Sequence, residues 1–203
     1  MYKHFKGISG ILLVCDHAPA WYRDLYIPFT DPTSSKEYNM MRKVAGCNEE
    51  SFLYSNDDFF ALQDFDCWMP NYYEKTCMVR ADDFPYGPYK RMYENCPGKW
   101  LNFDIHCPMI MVLAAFREAM HKYVTGPEDV VPIKTMYGNY FLTQEPRYLV
   151  DQKIKGDYSL PELKKLIKGR PFFSTTETNG TLNKAMLSLL NELYPDKSPC
   201  EAF

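Results

Sequence analysis

The stretch SFLYSNDDFF, Ser51 to Phe60, decides how this chain is read. Ser51–Tyr54 predicts a short strand, and Asn56-Asp57-Asp58 follows at its end. Two adjacent carboxylates there repel each other and lose hydration. A divalent cation relieves both costs. Hard oxygen donors suit Mg²⁺ or Mn²⁺, ions that also bridge nucleotide phosphates. In an open α/β sheet, ligands bind beyond the carboxyl ends of strands, where this motif sits. The plain alternative is a solvated turn, since Asn and Asp favour turns. Phe59-Phe60 argues against it, because the apolar character resumes at once.

Working outward, Ile8–Asp16 is a nearly continuous apolar run ending in a carboxylate. It predicts a strand buried on both faces, as in a parallel sheet. Leu25–Thr30 predicts a second strand, at an edge because of Pro28. Lys36–Cys47 predicts a helix with Met40, Met41, Val44 and Ala45 on its apolar stripe. Gln63 to Trp100 is aromatic and Pro-containing and predicts an irregular insertion over 63–100. Leu101–Ile105 predicts a strand. Its alternation puts Asp104 and His106 on one face, and a neutral imidazole beside a carboxylate is a common metal ligand. Helices are expected over Met109–Tyr123, Val131–Phe141 (with Gly138 against it), Pro161–Lys168 and Thr181–Leu193, and a strand over Phe172–Thr175.

With 203 residues, no internal repeat and no Gly/Ser-rich linker, the chain is expected to be one domain over 1–203. Its hydrophobic share of 46% and charged share of 24% exclude a disordered or collagenous chain. Net charge is −3, which argues against a protein held on nucleic acid by a broad basic face. The seven cysteines are odd in number and lack a C-x-x-C pair, so reduced thiols are expected rather than a disulfide framework. The longest apolar run, Met109 to Phe116, is far short of the ~18–20 residues of a membrane helix. No signal peptide is legible, and a soluble cytoplasmic protein with no membrane partner is expected.

These blocks resemble the Stealth family of sugar-phosphate transferases. The family's "F-x-Y-x-N-D-D-x-F-F" looks like Phe52 to Phe60, preceded here by a helix carrying Asn39 and Arg42-Lys43-Val44. Its "H-x-P" followed by a helix looks like His106-Cys107-Pro108, and its closing block looks like Tyr194-Pro195 to Glu201. Short Stealth-like proteins of bacteriophages are more similar still. They share Pro28 to Pro32, Lys36-Glu37-Tyr38-Asn39 and Tyr137 to Phe141. The resemblance runs in order over most of the chain. It departs at the opening block, reduced here to Val14-Cys15-Asp16-His17.

The resemblance implies a GT-A-like nucleotide-binding sandwich, a mixed central sheet flanked by helices. It implies a metal-dependent glycosyltransferase using a nucleotide sugar, UDP-linked, with Mn²⁺ or Mg²⁺. Asp58 would be the main metal ligand, Asp57 a second ligand or a catalytic partner, and His106 a late ligand. Asn56, Asp16, Lys36, Asn39 and Arg42 would frame the donor, the last three as one helical face. The general base is open between Asp104, Asp82 and Asp83. The acceptor is open between a saccharide and a hydroxylated base of phage DNA. For DNA, the basic stretch Lys153 to Arg170 and the 16 tyrosines offer contacts. Other readings are sugar-phosphate transfer, a binding protein on a decayed transferase fold, and metal-dependent phosphoester hydrolysis.

Overall fold

The structure is a computed structural model and describes residues 4–7, 9–56, 58–66, 68–74, 76–77, 100–127, 129, 132–141, 145–175 and 183–196. Asp57, Asp82 and Asp83 lie outside the described residues.

The fold is mixed α/β. In chain order the elements are β1 (Leu12–Cys15), β2 (Leu25–Pro28), α1 (Lys36–Ala45), β3 (Ser51–Tyr54), β4 (Phe59–Ala61), β5 (Tyr72–Tyr73), β6 (Thr76–Cys77) and β7 (Trp100–Leu101). Then follow β8 (Met109–Val112), α2 (Leu113–Tyr123), α3 (Ile133–Tyr140), β9 (Arg147–Tyr148), α4 (Leu160–Ile167), β10 (Phe172–Ser174) and α5 (Lys184–Leu193). The described strands form five separate two-stranded pairings, where the resemblance implies one mixed central sheet. All ten described strands are two to four residues long, at or below the short end of the usual range.

The first strand also departs from expectation. β1 covers only Leu12–Cys15, is half-buried throughout, and among the described residues pairs, in parallel, with β2 alone. Side-chain bonds hold this ribbon: Asp24 accepts from the Ile11 N–H at 2.8 Å, and the Tyr22 hydroxyl donates to the Ile11 carbonyl. Met109–Val112, predicted as the start of a helix, is a strand antiparallel to β3, with Tyr54 opposite Met109 and Ser51 opposite Val112. Met109 and Met111 are buried while Ile110 and Val112 are half-buried, the period of two that a strand requires. The chain turns into α2 at Leu113.

Helix boundaries follow local chemistry. The Ser35 hydroxyl accepts from Tyr38 N–H at the start of α1, and Asn183 accepts from Ala185 and Met186 at the start of α5. In α4, Glu162 reaches back to the Ser159 N–H at 2.8 Å as the return half of a capping box. Three apolar clusters carry the fold. One joins α1, β8, α2 and α3 around Met41, Phe103, Met111, Phe116 and Tyr123. The second gathers Phe5, Phe65, Met69, Ile105, Cys107 and Phe172. The third packs α4 against α5 over Phe173. Phe65 and Met69 come from the region predicted as an irregular insertion and belong to the core, while Trp68 of the same region is exposed. Among the described residues, no helix is long and apolar enough to cross a membrane.

Candidate functional site

Residues 101–107 build the site. They alternate as predicted: Phe103, Ile105 and Cys107 are buried, Asp104 is exposed and His106 half-buried. Yet beyond Leu101 they form no strand, because their backbone groups bond to side chains of α3 instead. Asn139 accepts from Leu101 N–H at 3.0 Å and donates to the Leu101 carbonyl at 2.9 Å. The Thr135 hydroxyl accepts from Phe103 N–H at 3.1 Å. Lys134 Nζ donates to the carbonyls of Ile105 and Cys107. Gly138 completes this template. A Cβ there would lie 2.6 Å from Cδ2 of Phe103, so the glycine that weakens the helix prediction is what admits the Phe103 ring.

The outward residues face a cavity of about 410 Å³, within the range of small-molecule sites. Asn56, Phe59, Asp104, His106, Lys134 and Lys36 are among its lining residues. Tyr54 shares the wall; burial, then the nearby Asp104 charge, pushes its phenol up to about 12.

His106 is held by a residue the sequence reading missed. Its Nδ1 lies 2.8 and 3.0 Å from the two Asp151 oxygens, and its backbone N–H donates to the same carboxylate at 3.0 Å. The carboxylate accepts, so Nδ1 carries a proton, and in the neutral imidazole Nε2 is the acceptor. Burial raises the Asp151 pKa, but the donors from His106 and Lys153 outweigh it, and the carboxyl lies below its ordinary value. β9 brings Asp151 here: Leu149 N–H bonds to the Tyr73 carbonyl, and the chain then runs on beside β10.

That run carries Lys153 to Asp58. Its Nζ lies 3.7 Å from Asp58 Oδ2, and the Ser174 hydroxyl donates to the same oxygen at 2.7 Å. Asp58 Oδ1 is buried and has no hydrogen-bond partner among the described residues. Such an orphaned acceptor fits a ligand donor or a cation. Among the described residues, however, no group of three His, Cys, Asp or Glu side chains is gathered to hold a metal ion. Asp57, the second expected ligand, lies outside the described residues.

The structure divides the other expected residues. Lys36 lines the cavity, together with Glu37 and Met40. Asn39 is 3% exposed and occupied with Thr33, donating to its carbonyl at 2.6 Å and accepting from its hydroxyl at 2.9 Å. Arg42 is exposed and away from the cavity lining. The expected single face fails on geometry: each step of three falls about 60° short of a full turn, so the third residue is about 120° off. Asp16 lies on the β1–β2 ribbon, bonded to Thr30 and His17, also outside the lining. Of the basic stretch Lys153 to Arg170, Lys153 turns inward to Asp58, while Lys164 pairs with Glu192.

Lys134, Asp151 and Ser174 escaped the sequence reading. Only Lys134 left a signal: a lysine among Ile133, Met136 and Tyr137 breaks an otherwise apolar helix face. No protein-family model matches the chain, and no curated protein matches it.

Proposed function

We propose that this chain is a nucleotide-sugar-dependent glycosyltransferase of the Stealth-like kind, with a GT-A-like nucleotide-binding fold. One observation carries the reading. The two blocks that suggest the resemblance, Asn56 of the N-D-D block and His106 of the H-x-P block, are far apart in sequence and line one cavity.

In this reading the donor occupies the cavity, with Lys36 at its wall against the phosphates. Asp57 and Asp58 would hold Mn²⁺ or Mg²⁺; a bound divalent ion stabilises charge on the departing diphosphate. Asn56 hydrogen-bonds the donor. His106 replaces the carboxylates considered for the base, since its Nε2 is free to take the acceptor hydroxyl's proton while Asp151 steadies the imidazolium that forms. The acceptor oxygen bonds to the anomeric carbon as the sugar–phosphate bond breaks, and the diphosphate leaves. A saccharide hydroxyl or a hydroxylated DNA base fits this step equally.

The test is turnover of a nucleotide-sugar panel with Mn²⁺ or Mg²⁺, products read by ³¹P NMR, with Asp58→Asn alongside. UDP release that Asp58→Asn abolishes supports glycosyl transfer. UMP release moves the assignment to sugar-phosphate transfer. A folded protein giving neither product, with no metal-dependent nucleotide binding, overturns the reading in favour of a binding protein.

A further inference from the structure

Lys134 is only 4% exposed. A buried ammonium is costly unless its donors are satisfied. Here two of them meet the carbonyls of Ile105 and Cys107, and the charge lies 4.9 Å from the centre of the Phe59 ring. Burial lowers the Lys134 pKa, while Cys107, Asp104, Asp151 and Asp58 oppose that shift. A methionine or leucine at this place would pack against the same neighbours at no such cost. The lysine therefore answers a polar demand, and the two carbonyls are that demand.

Those carbonyls flank His106. Cys107 N–H also donates to the Ile105 carbonyl at 2.9 Å, which makes His106 the apex of a three-residue turn. Such a turn has little intrinsic stability. It is gripped from one side by Asp151, which takes the His106 backbone N–H and ring, and from the other by Lys134. We infer that Lys134 is the positioning residue of the site, its ammonium pinning the carbonyls on both sides of His106 so that the imidazole stays on Asp151 with Nε2 toward the cavity. The purpose of this bracket rests on the transferase reading; its geometry does not.

The experiment compares wild type with Lys134→Met and Lys134→Arg in the full chain. Cooperative thermal unfolding establishes which variants fold. Long-range ¹H–¹⁵N correlation of the histidine rings then reads the tautomer of His106, assigned with His106→Asn, above the ordinary imidazole titration range. Wild type should show one tautomer protonated at Nδ1. Folded Lys134→Met should show a mixture, with kcat down roughly 10²-fold, the loss a misplacement of about 1 Å causes, and KM little changed. Lys134→Arg, which keeps donors for both carbonyls, should restore the single tautomer and most of kcat. A folded Lys134→Met with an unchanged ring signature overturns the inference. Should Lys134→Met not fold, Lys134→Arg decides it: a retained signature supports the bracket and a lost one overturns it. Failure of both to fold makes Lys134 a core residue only and also overturns it. The ring signature is read without any donor present, so a wild type with neither turnover nor metal-dependent nucleotide binding removes the transferase reading and leaves the bracket to be judged alone.

Discussion

The helical core and the polar seam, which meets the cavity at Lys134, are built on opposite terms. The core places Met41, Met111, Phe116, Ala119 and Met136 at 0% exposure and asks nothing of them but shape. The seam brings Asp58, Lys134, Asp151, Lys153 and Ser174 together from four distant segments, each oriented by a specific partner. Apolar contacts are non-directional and tolerate small displacement. Hydrogen-bonded groups in a partly dry setting do not. Core substitutions should therefore read out in stability and seam substitutions in chemistry.

Phe116→Ala makes the largest break. It empties a fully buried site in the cluster that joins α1, α2 and α3. The expected loss is about 3–5 kcal/mol in urea unfolding. The nucleotide binding proposed above should hold per folded molecule. A loss under about 1 kcal/mol would mean that the core is looser than its burial implies.

Gly138→Ala probes the joint between the two regions. The new methyl meets the Phe103 ring at 2.6–2.8 Å, and Phe103 is itself fully buried, so it has little room to yield. Overpacking of this kind costs about 1–3 kcal/mol. Because residue 103 adjoins the 104–107 segment, turnover should fall as well. A stability loss with normal turnover would separate Phe103 from the placing of Asp104 and His106.

The same contrast explains what was legible beforehand. Residues whose pattern repeats locally could be read: Ser51–Tyr54 is a strand with the predicted limits, and α1, α4 and α5 sit where their apolar spacing and caps place them. The alternation that pairs Asp104 with His106 survives even where the strand does not. What failed needed partners from far along the chain. Met109–Val112 becomes a strand because β3 lies beside it, although its apolar run alone fits a helix as well. Ile8–Asp16 looks buried by composition, yet among the described residues no further strand pairs with the ribbon that its described part makes with β2. Asp151 and Ser174 carry no local signal at all. Each is an ordinary polar residue until β9 and β10 bring it to His106 and Asp58.

The smallest effect on stability and the sharpest separation of the two regions come from Asp151→Asn. The amide nearly matches the carboxylate in shape and keeps one acceptor for His106, so the loss at neutral pH should be only about 1 kcal/mol, that of a weakened hydrogen bond. The pH dependence identifies its source. Asp151 titrates below its ordinary value in the folded chain, so folding favours the ionised form. Its contribution is complete above the unfolded carboxylate pKa of about 4 and disappears as pH falls through the lower folded value. The gap in urea-unfolding free energy between wild type and Asp151→Asn should close as pH falls below about that value. Activity should behave otherwise: an amide can donate to Nδ1 and stabilise the wrong tautomer, so turnover should collapse at every pH where the fold is intact. A gap in unfolding free energy that is constant through the acid range would mean that His106 and Lys153 do not hold the carboxylate ionised, and the seam would then owe its geometry to α3 alone.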